Sequence, residues 1–216
     1  MPFDSDRFDY FASLLSGALK ELGLMLDDAK QRQLLDYLAL LEKWNKAFNL
    51  TAVRDTEEML YRHIIDSLSI VTHISGSRIM DVGTGPGLPG IVLAICYPDK
   101  SFTLVDSNIK KTRFLTQSLI ELGLRNVEVH HARIEALDFE VGFDEIVSRA
   151  FASLDKMVVL CQKHLAPAGR FLAMKGLDTP EERQELPSGF DITESLQLDV
   201  PACEAQRHLI IISRKQ

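Results

Sequence analysis

Cysteine is scarce: Cys96, Cys161 and Cys203 stand far apart among 216 residues. An odd number at such spacing argues against a disulfide framework and a clustered zinc site, so inert thiols and no metal are expected. Long apolar runs are also missing. Charged residues, 25% of the chain, interrupt every hydrophobic stretch short of the roughly 20 residues that a membrane-spanning helix needs. The opening MPFDSDRFDY has neither the basic region nor the apolar region of a secretory signal. A cytoplasmic protein without membrane attachment is expected. The 46% hydrophobic content supplies one substantial core, and the length leaves no room for two large domains.

The net charge of -7 looks wrong for a nucleic-acid binder until it is divided along the chain. Residues 1–42 sum to -4, 43–175 to +1, 176–204 to -7 and 205–216 to +3. The acid lies toward the ends, so a basic face built from the middle and the tail remains open. Total charge decides nothing here.

Residues 1–75 read as a helical extension and 76–216 as the main domain. Asp27 is a plausible N-cap for a helix whose Leu34, Leu35, Leu38, Leu41 and Trp44 recur at three- and four-residue spacing. Leu14 to Leu22 is a similar stretch, stopped at Gly23. NKAFNLTAVR (45–54) breaks the period, and helix resumes from Glu57 to His73. From Arg78 the pattern changes. RIMDV, SFTLVD, NVEVHH, FDEIVSR and GRFLAMK read as strands separated by helical segments, including SNIKKTRFLTQSLIELGL and a helix around Leu154 to Leu165. Such alternation predicts an α/β fold, a doubly wound, mostly parallel sheet. Two last runs, near Ile192 to Val200 and His208 to Ser213, have no helix between them and predict an antiparallel hairpin at the sheet edge.

The segment Asp81-Val-Gly83-Thr-Gly85-Pro-Gly87-Leu-Pro-Gly90 joins the first strand to its helix, where open α/β sheets bind ligands. From Gly85 it matches G-x-G-x-x-G, with Asp106 lying 21 residues on, so a dinucleotide has to be weighed. Pro86 and Pro89 lack the N–H groups that a pyrophosphate cradle uses, and Asp81 would set a carboxylate beside the phosphates. A ligand with cationic groups and no phosphate suits the loop better. S-adenosylmethionine has both features, and Asp106 would then accept from its ribose hydroxyls.

Several segments together resemble one family: WNKAFNLTAVRD (44–55), RHIIDSLS (62–69), DVGTGPGLPGIVLAI (81–95), SRAFASL (148–154) and QRHLIII (206–212). They look like the RsmG family, also called glucose-inhibited division protein B, from about Leu34 onward. The resemblance implies a class I S-adenosylmethionine-dependent methyltransferase fold, Rossmann-like, with an N-terminal helical extension. It implies methyl transfer from S-adenosylmethionine to N7 of one guanosine in bacterial 16S rRNA, free or within a 30S subunit or assembly intermediate, by a monomer. Carried over by position, the family's cofactor contacts fall on Gly83 and Leu88, on Ile134 and Glu135 after the third strand, and on Arg149 after the fourth. Gly85 and Asp106 join this set from the loop reading. Glu135 alone could equally be a solvated residue starting a helix.

Guanine N7 carries an in-plane lone pair and loses no proton before attack, so placement and electrostatics suffice and no general base is required. The chain lacks the Asp/Asn-Pro-Pro-aromatic tetrad of exocyclic-amine methyltransferases after FDEIVSR, and it has no Pro-Cys pair for covalent chemistry at pyrimidine C5. Arg149 is the candidate catalytic residue. Its guanidinium suits a methionine carboxylate, an RNA phosphate or a guanine O6 edge. Phe151 could stack on a base or belong to the core. Lys43, Lys46, Arg54, Arg62, His63, Lys175, Arg207 and His208 are candidates for a phosphate-binding rim. Lys110, Lys111 and Arg113 could be no more than a polar helix face, and Asn49 and Thr51 could be turn caps. A dinucleotide-dependent oxidoreductase, a non-catalytic RNA binder and a small-molecule methyltransferase are the competing classes.

Overall fold

Short apolar strands bounded by glycine and asparagine, each followed by an amphipathic stretch, fold in the computed structural model as the alternation predicts. The structure describes residues 3–149, 151, 153–177 and 185–215. Helices α1 (Ser5–Glu21) and α2 (Asp28–Phe48) come first. Asp27 caps α2, its side chain accepting from the Lys30 amide at 2.8 Å. Gly23, in the left-handed region at φ +66°, follows α1. The helical pattern after Glu57 is not one helix. It divides into α3 (Thr56–Met59), a π-helical turn (Leu60–Ile65), α4 (Asp66–Leu68) and a 3₁₀ turn (Val71–His73). The break predicted at 45–54 begins later, because α2 runs through Phe48 and ends on Asn49, a C-cap at φ +54°.

Among the described residues seven strands form one sheet, β3-β2-β1-β4-β5-β7-β6. These are β1 (Arg78–Val82), β2 (Ser101–Asp106), β3 (Val127–His131), β4 (Phe143–Arg149), β5 (Leu165–Lys175), β6 (Phe190–Gln197) and β7 (His208–Arg214). The first five pair in parallel, and β7 pairs antiparallel with both β5 and β6. The late hairpin forms, with β7 inside the sheet and β6 at its edge. Helices α5 (Gly90–Cys96) and α6 (Ile109–Leu122) follow β1 and β2; α7 (Leu154–Cys161) follows β4. The expected helix end at Leu165 gives way to strand, since β5 starts there.

Neighbouring strand residues serve opposite faces, as a period of two requires. Ile79, Leu104, Val147, Leu172 and Ile211 join a cluster with α1, α2, α5 and α6, whereas Met80, Val105, Ile146, Phe171 and Ile210 pack with α7. Burial on both faces accounts for the continuous apolar strands. Helices α1 and α2 therefore share a core with the sheet, contributing Leu15, Leu34, Leu38 and Leu41. The order reverses between β1 and β4. At such a switch point the carboxyl ends of the strands leave a crevice open to ligands. Among the described residues no helix is long and apolar enough to cross a membrane.

Candidate functional site

The glycine loop turns its donors inward. Gly83 and Thr84 amides donate to the Val105 carbonyl, Gly85 to Asp106 Oδ2 at 2.9 Å, Gly87 and Leu88 to the Thr84 carbonyl, and Gly90 to Asp81 Oδ2 at 2.8 Å. Pro86 and Pro89 have no N–H. Every amide from 83 to 90 is thus spent on a protein acceptor, which leaves none to cradle a pyrophosphate. Gly87, at φ +106°, lies so close to Ile91 and Leu115 that an added Cβ would stand 2.7 Å from the first and 2.8 Å from the second. Gly83, at φ +67°, differs: it is exposed, and a Cβ there would meet nothing within 4 Å among the described residues. A ligand can therefore approach the backbone at Gly83.

Asp81, the penultimate residue of β1, is fully buried. Its Oδ2 accepts from Thr84 Oγ1 at 2.6 Å and from the Gly90 amide, but its Oδ1 has no partner among the described residues. Burial pushes the carboxyl up to about 6, against the opposing pull of the Thr84 and Gly90 hydrogen bonds and of the Arg149 charge. Asp106, at the end of β2, accepts from Gly85 and from the Asn108 amide at 2.8 Å, with Lys111 Nζ at 3.8 Å. Each of its oxygens keeps a second lone pair. A carboxylate short of one partner, a second carboxylate with acceptor capacity and an open glycine backbone fit an organic cation carrying hydroxyl groups.

Arg149, the last residue of β4, lies at the same edge: Ser148 beside it donates from Oγ to the Val82 carbonyl at 2.9 Å. Its guanidinium reaches the helical segment. Nη1 donates to the Arg62 carbonyl at 2.9 Å and to Asp66 Oδ2 at 3.1 Å, and Nη2 lies 3.4 Å from His63 Nδ1. The π-helical turn makes this possible. The Asp66 amide bonds to the carbonyls of Tyr61 and His63 and not to that of Arg62, which is left for Arg149. Asp66 is buried, and its Oδ1 accepts from Arg207 Nε at 2.9 Å. His63 Nε2 pairs with Thr51 Oγ1 at 2.8 Å, and its Nδ1 lies 3.0 Å from the Arg62 carbonyl. Burial and the Arg149 charge push its pKa down to about 4, so the imidazole is neutral at pH 7.

These groups line a cavity of about 420 Å³, together with Phe151, Met174 and Lys175. Among the described residues that line it, Arg62, Arg149, Lys175 and Arg207 are cationic and Asp66 is anionic; Asp66 pairs with Arg149 and Arg207, and Arg62 lies 3.8 Å from Glu58. Of the expected rim, Arg62, His63, Lys175 and Arg207 converge. Lys43 is exposed elsewhere, Lys46 is paired with Glu42, Arg54 is bonded to Asn49, and His208 approaches the Gly176 carbonyl. Phe151 is half-buried: it packs on the α7-side core and lines the cavity. Lys110 and Arg113 lie exposed on α6, and Thr51 holds His63.

Gly83, Gly85, Leu88 and Asp106 gather beside the crevice. Leu88 is buried in the core cluster shared with the helices. Ile134, in a short 3₁₀ turn after β3, buries its side chain with Val82 and Val105, and its carbonyl lies 3.3 Å from His164 Nε2. Glu135 is exposed, with its carbonyl accepting from Lys163. Asp66 and Tyr37 escape motif reasoning. Asp66 lies within RHIIDSLS, but nothing local marks its partners. Tyr37 reads as a member of an apolar stripe, yet its hydroxyl donates to the Pro86 carbonyl at 2.8 Å.

The family model described as rRNA small subunit methyltransferase G matches residues 30–210. A Klebsiella pneumoniae protein named ribosomal RNA small subunit methyltransferase G is 52% identical over 201 residues, covering 93% of this chain and 97% of that protein. A Pseudomonas aeruginosa protein of the same name is 52% identical over 206 residues, covering 95% and 96%. The structure of a ribosomal protein L11 methylase from Lactobacillus delbrueckii subsp. bulgaricus superposes with a TM-score of 0.55 at 21% identity, covering 70% of this chain and 77% of that one. That likeness speaks to the fold alone.

Proposed function

Because this chain belongs to the rRNA small subunit methyltransferase G family, we propose that it transfers a methyl group from S-adenosylmethionine to N7 of one guanosine in bacterial 16S rRNA. The observation that carries the donor half of this reading is the glycine loop, whose amides all turn inward while buried Asp81 keeps one oxygen unpartnered. That arrangement suits an ammonium or sulfonium and offers a pyrophosphate nothing, which weighs against a dinucleotide.

S-adenosylmethionine supplies an electrophilic methyl carbon on a sulfonium that departs as a neutral thioether. Gly83 would offer the backbone surface against which it rests, with Gly85 and buried Leu88 holding the loop behind, and Asp81 would answer its positive charge. Asp106 accepts from the ribose hydroxyls with its remaining lone pairs. Ile134 and Glu135 flank the adenine from the end of β3. Arg149 stands between the two halves of the site: its charge reaches Asp81 on one side and its guanidinium lines the cavity on the other.

The cavity takes the nucleotide. Its four cations attract phosphodiester oxygens, so affinity for RNA falls as salt rises. Arg149 holds the acceptor through oxygen atoms, and Asp66 fixes the direction of that guanidinium. An acceptor nitrogen that carries a lone pair and no proton fits the side chains present. His63 is neutral, with Nε2 held by Thr51 and Nδ1 between the Arg62 carbonyl and Arg149, and Asp66 is committed to two arginines. Placing N7 in line with the methyl carbon is then the main source of rate.

The test is incubation with methyl-labelled S-adenosylmethionine and 30S subunits from cells lacking this gene. Label in 16S rRNA is expected. If 30S subunits, naked 16S rRNA and assembly intermediates all stay unlabelled, the proposal fails, and a non-catalytic RNA binder or a small-molecule methyltransferase becomes the better reading.

A further inference from the structure

We infer that Tyr37, on helix α2 of the N-terminal segment, is a positioning residue for the methyl-donor loop, an inference that rests on the methyltransferase reading above. Tyr37 is fully buried, and its hydroxyl crosses from the helical segment to the Pro86 carbonyl at 2.8 Å. The direction of that hydroxyl is set by packing. The ring stacks on Phe114 of α6 with centroids 6.3 Å apart, and Trp44, also on α2, contacts the same Phe114 ring at 5.7 Å.

The Pro86 carbonyl and the Gly87 N–H belong to one planar peptide unit, so orienting one orients the other. The Gly87 N–H is pinned to the Thr84 carbonyl at 3.0 Å, and Tyr37 supplies the second pin. On either side stand Gly85 at φ +63° and Gly87 at φ +106°, conformations that only residues without a side chain reach freely. The loop has no amide of its own to replace the phenol, because all are spent elsewhere. Without Tyr37 the Pro86 carbonyl is left buried without this donor, and the loop has reason to turn it. The helical segment is thus part of the donor site, even though the residues that face the donor lie in the sheet domain.

The test compares Tyr37→Phe with Gln33→Ala. Gln33 lies one turn earlier on α2 and donates to the Leu122 carbonyl at 3.0 Å, at the far end of α6. Tyr37→Phe should weaken S-adenosylhomocysteine binding about tenfold and raise the KM for S-adenosylmethionine similarly, as expected for an unsatisfied buried carbonyl. At saturating donor its kcat should stay within about twofold of wild type, because the lost interaction holds ground state and transition state alike. Gln33→Ala should lower Tm and leave S-adenosylhomocysteine affinity unchanged. Wild-type affinity in folded Tyr37→Phe overturns the inference, and so does an equal loss in both variants, which would mark general docking of α2. Failure of the wild-type protein to bind S-adenosylhomocysteine overturns this inference and the underlying reading together; binding by wild type with no effect of Tyr37→Phe removes Tyr37 alone.

Discussion

Asp66 Oδ2 accepts a hydrogen bond from Arg149 Nη1 at 3.1 Å, across 83 residues of sequence, while its other oxygen holds Arg207. One buried carboxylate therefore ties a strand end, a helix and the start of the last strand around the cavity. Asp66→Asn would leave two guanidinium groups side by side without their shared counter-charge. Turnover should fall tenfold or more, well beyond any loss of S-adenosylhomocysteine affinity. Breaking a buried pair also costs about 3–5 kcal/mol of stability, so the assay belongs well below the variant's Tm. Wild-type kcat in folded protein would show that Arg149 needs no such anchor.

Asp81 makes donor binding sensitive to pH. Its carboxyl is raised by burial to about 6, and a cationic ligand needs it ionised. Affinity for S-adenosylmethionine, which carries the sulfonium charge, should rise as pH climbs through 6, with binding at pH 5 about tenfold weaker than at pH 7. Calorimetric titrations across this range should show that slope for wild type and a nearly flat profile for Asp81→Asn. A flat wild-type profile would mean that Asp81 does not answer the ligand's charge.

His63 links stability to pH in the acid range. Its folded pKa, about 4, lies below the ordinary histidine value of 6.5, so the unfolded chain takes the proton first. The contribution of neutral His63 is fully present above pH 6.5 and is lost as pH falls toward 4, a loss of about 3 kcal/mol. Chemical denaturation of wild type and His63→Gln should show their stability difference shrinking over that window. A difference independent of pH would contradict burial of the neutral imidazole.

Two glycines of one loop should fail in different ways. At Gly87 a Cβ would strike Ile91 and Leu115 with φ already at +106°, so Gly87→Ala should cost about 3 kcal/mol of stability. At Gly83 the space is open and the strain smaller, about 1 kcal/mol. Gly83→Ala should instead weaken S-adenosylhomocysteine binding, because its methyl occupies the donor's approach. Thermal melts paired with binding curves separate the two, and equal effects on both quantities would remove Gly83 from the site.

What could be read from the sequence was mostly local. The Asp27 cap, the stop at Gly23, the strands and the glycine loop all depend on neighbours within one turn or one strand. The carboxylates near the ends of β1 and β2, Asp81 and Asp106, followed from their position before each helix. The bonds that join the helical segment to the site could not be read this way: Tyr37 lies 49 residues from Pro86, and Asp66 lies 141 from Arg207. Periodicity marked Tyr37 only as apolar, and the π-helical turn that frees the Arg62 carbonyl leaves the hydrophobic pattern intact. Lys46 and Arg54 have partners that charge alone did not show. Each is bonded to a side chain within five residues, Glu42 for Lys46 and Asn49 for Arg54.

The most direct test of the central claim is the chemical identity of the methylated atom. 16S rRNA labelled by this protein in 30S subunits from cells lacking the gene would be reduced and treated with aniline, which cleaves the chain at 7-methylguanosine. One cleavage site is expected, coincident with all of the label and lost with Arg149→Ala. Labelled RNA that resists cleavage would place the methyl group on another atom and contradict the proposed N7 chemistry.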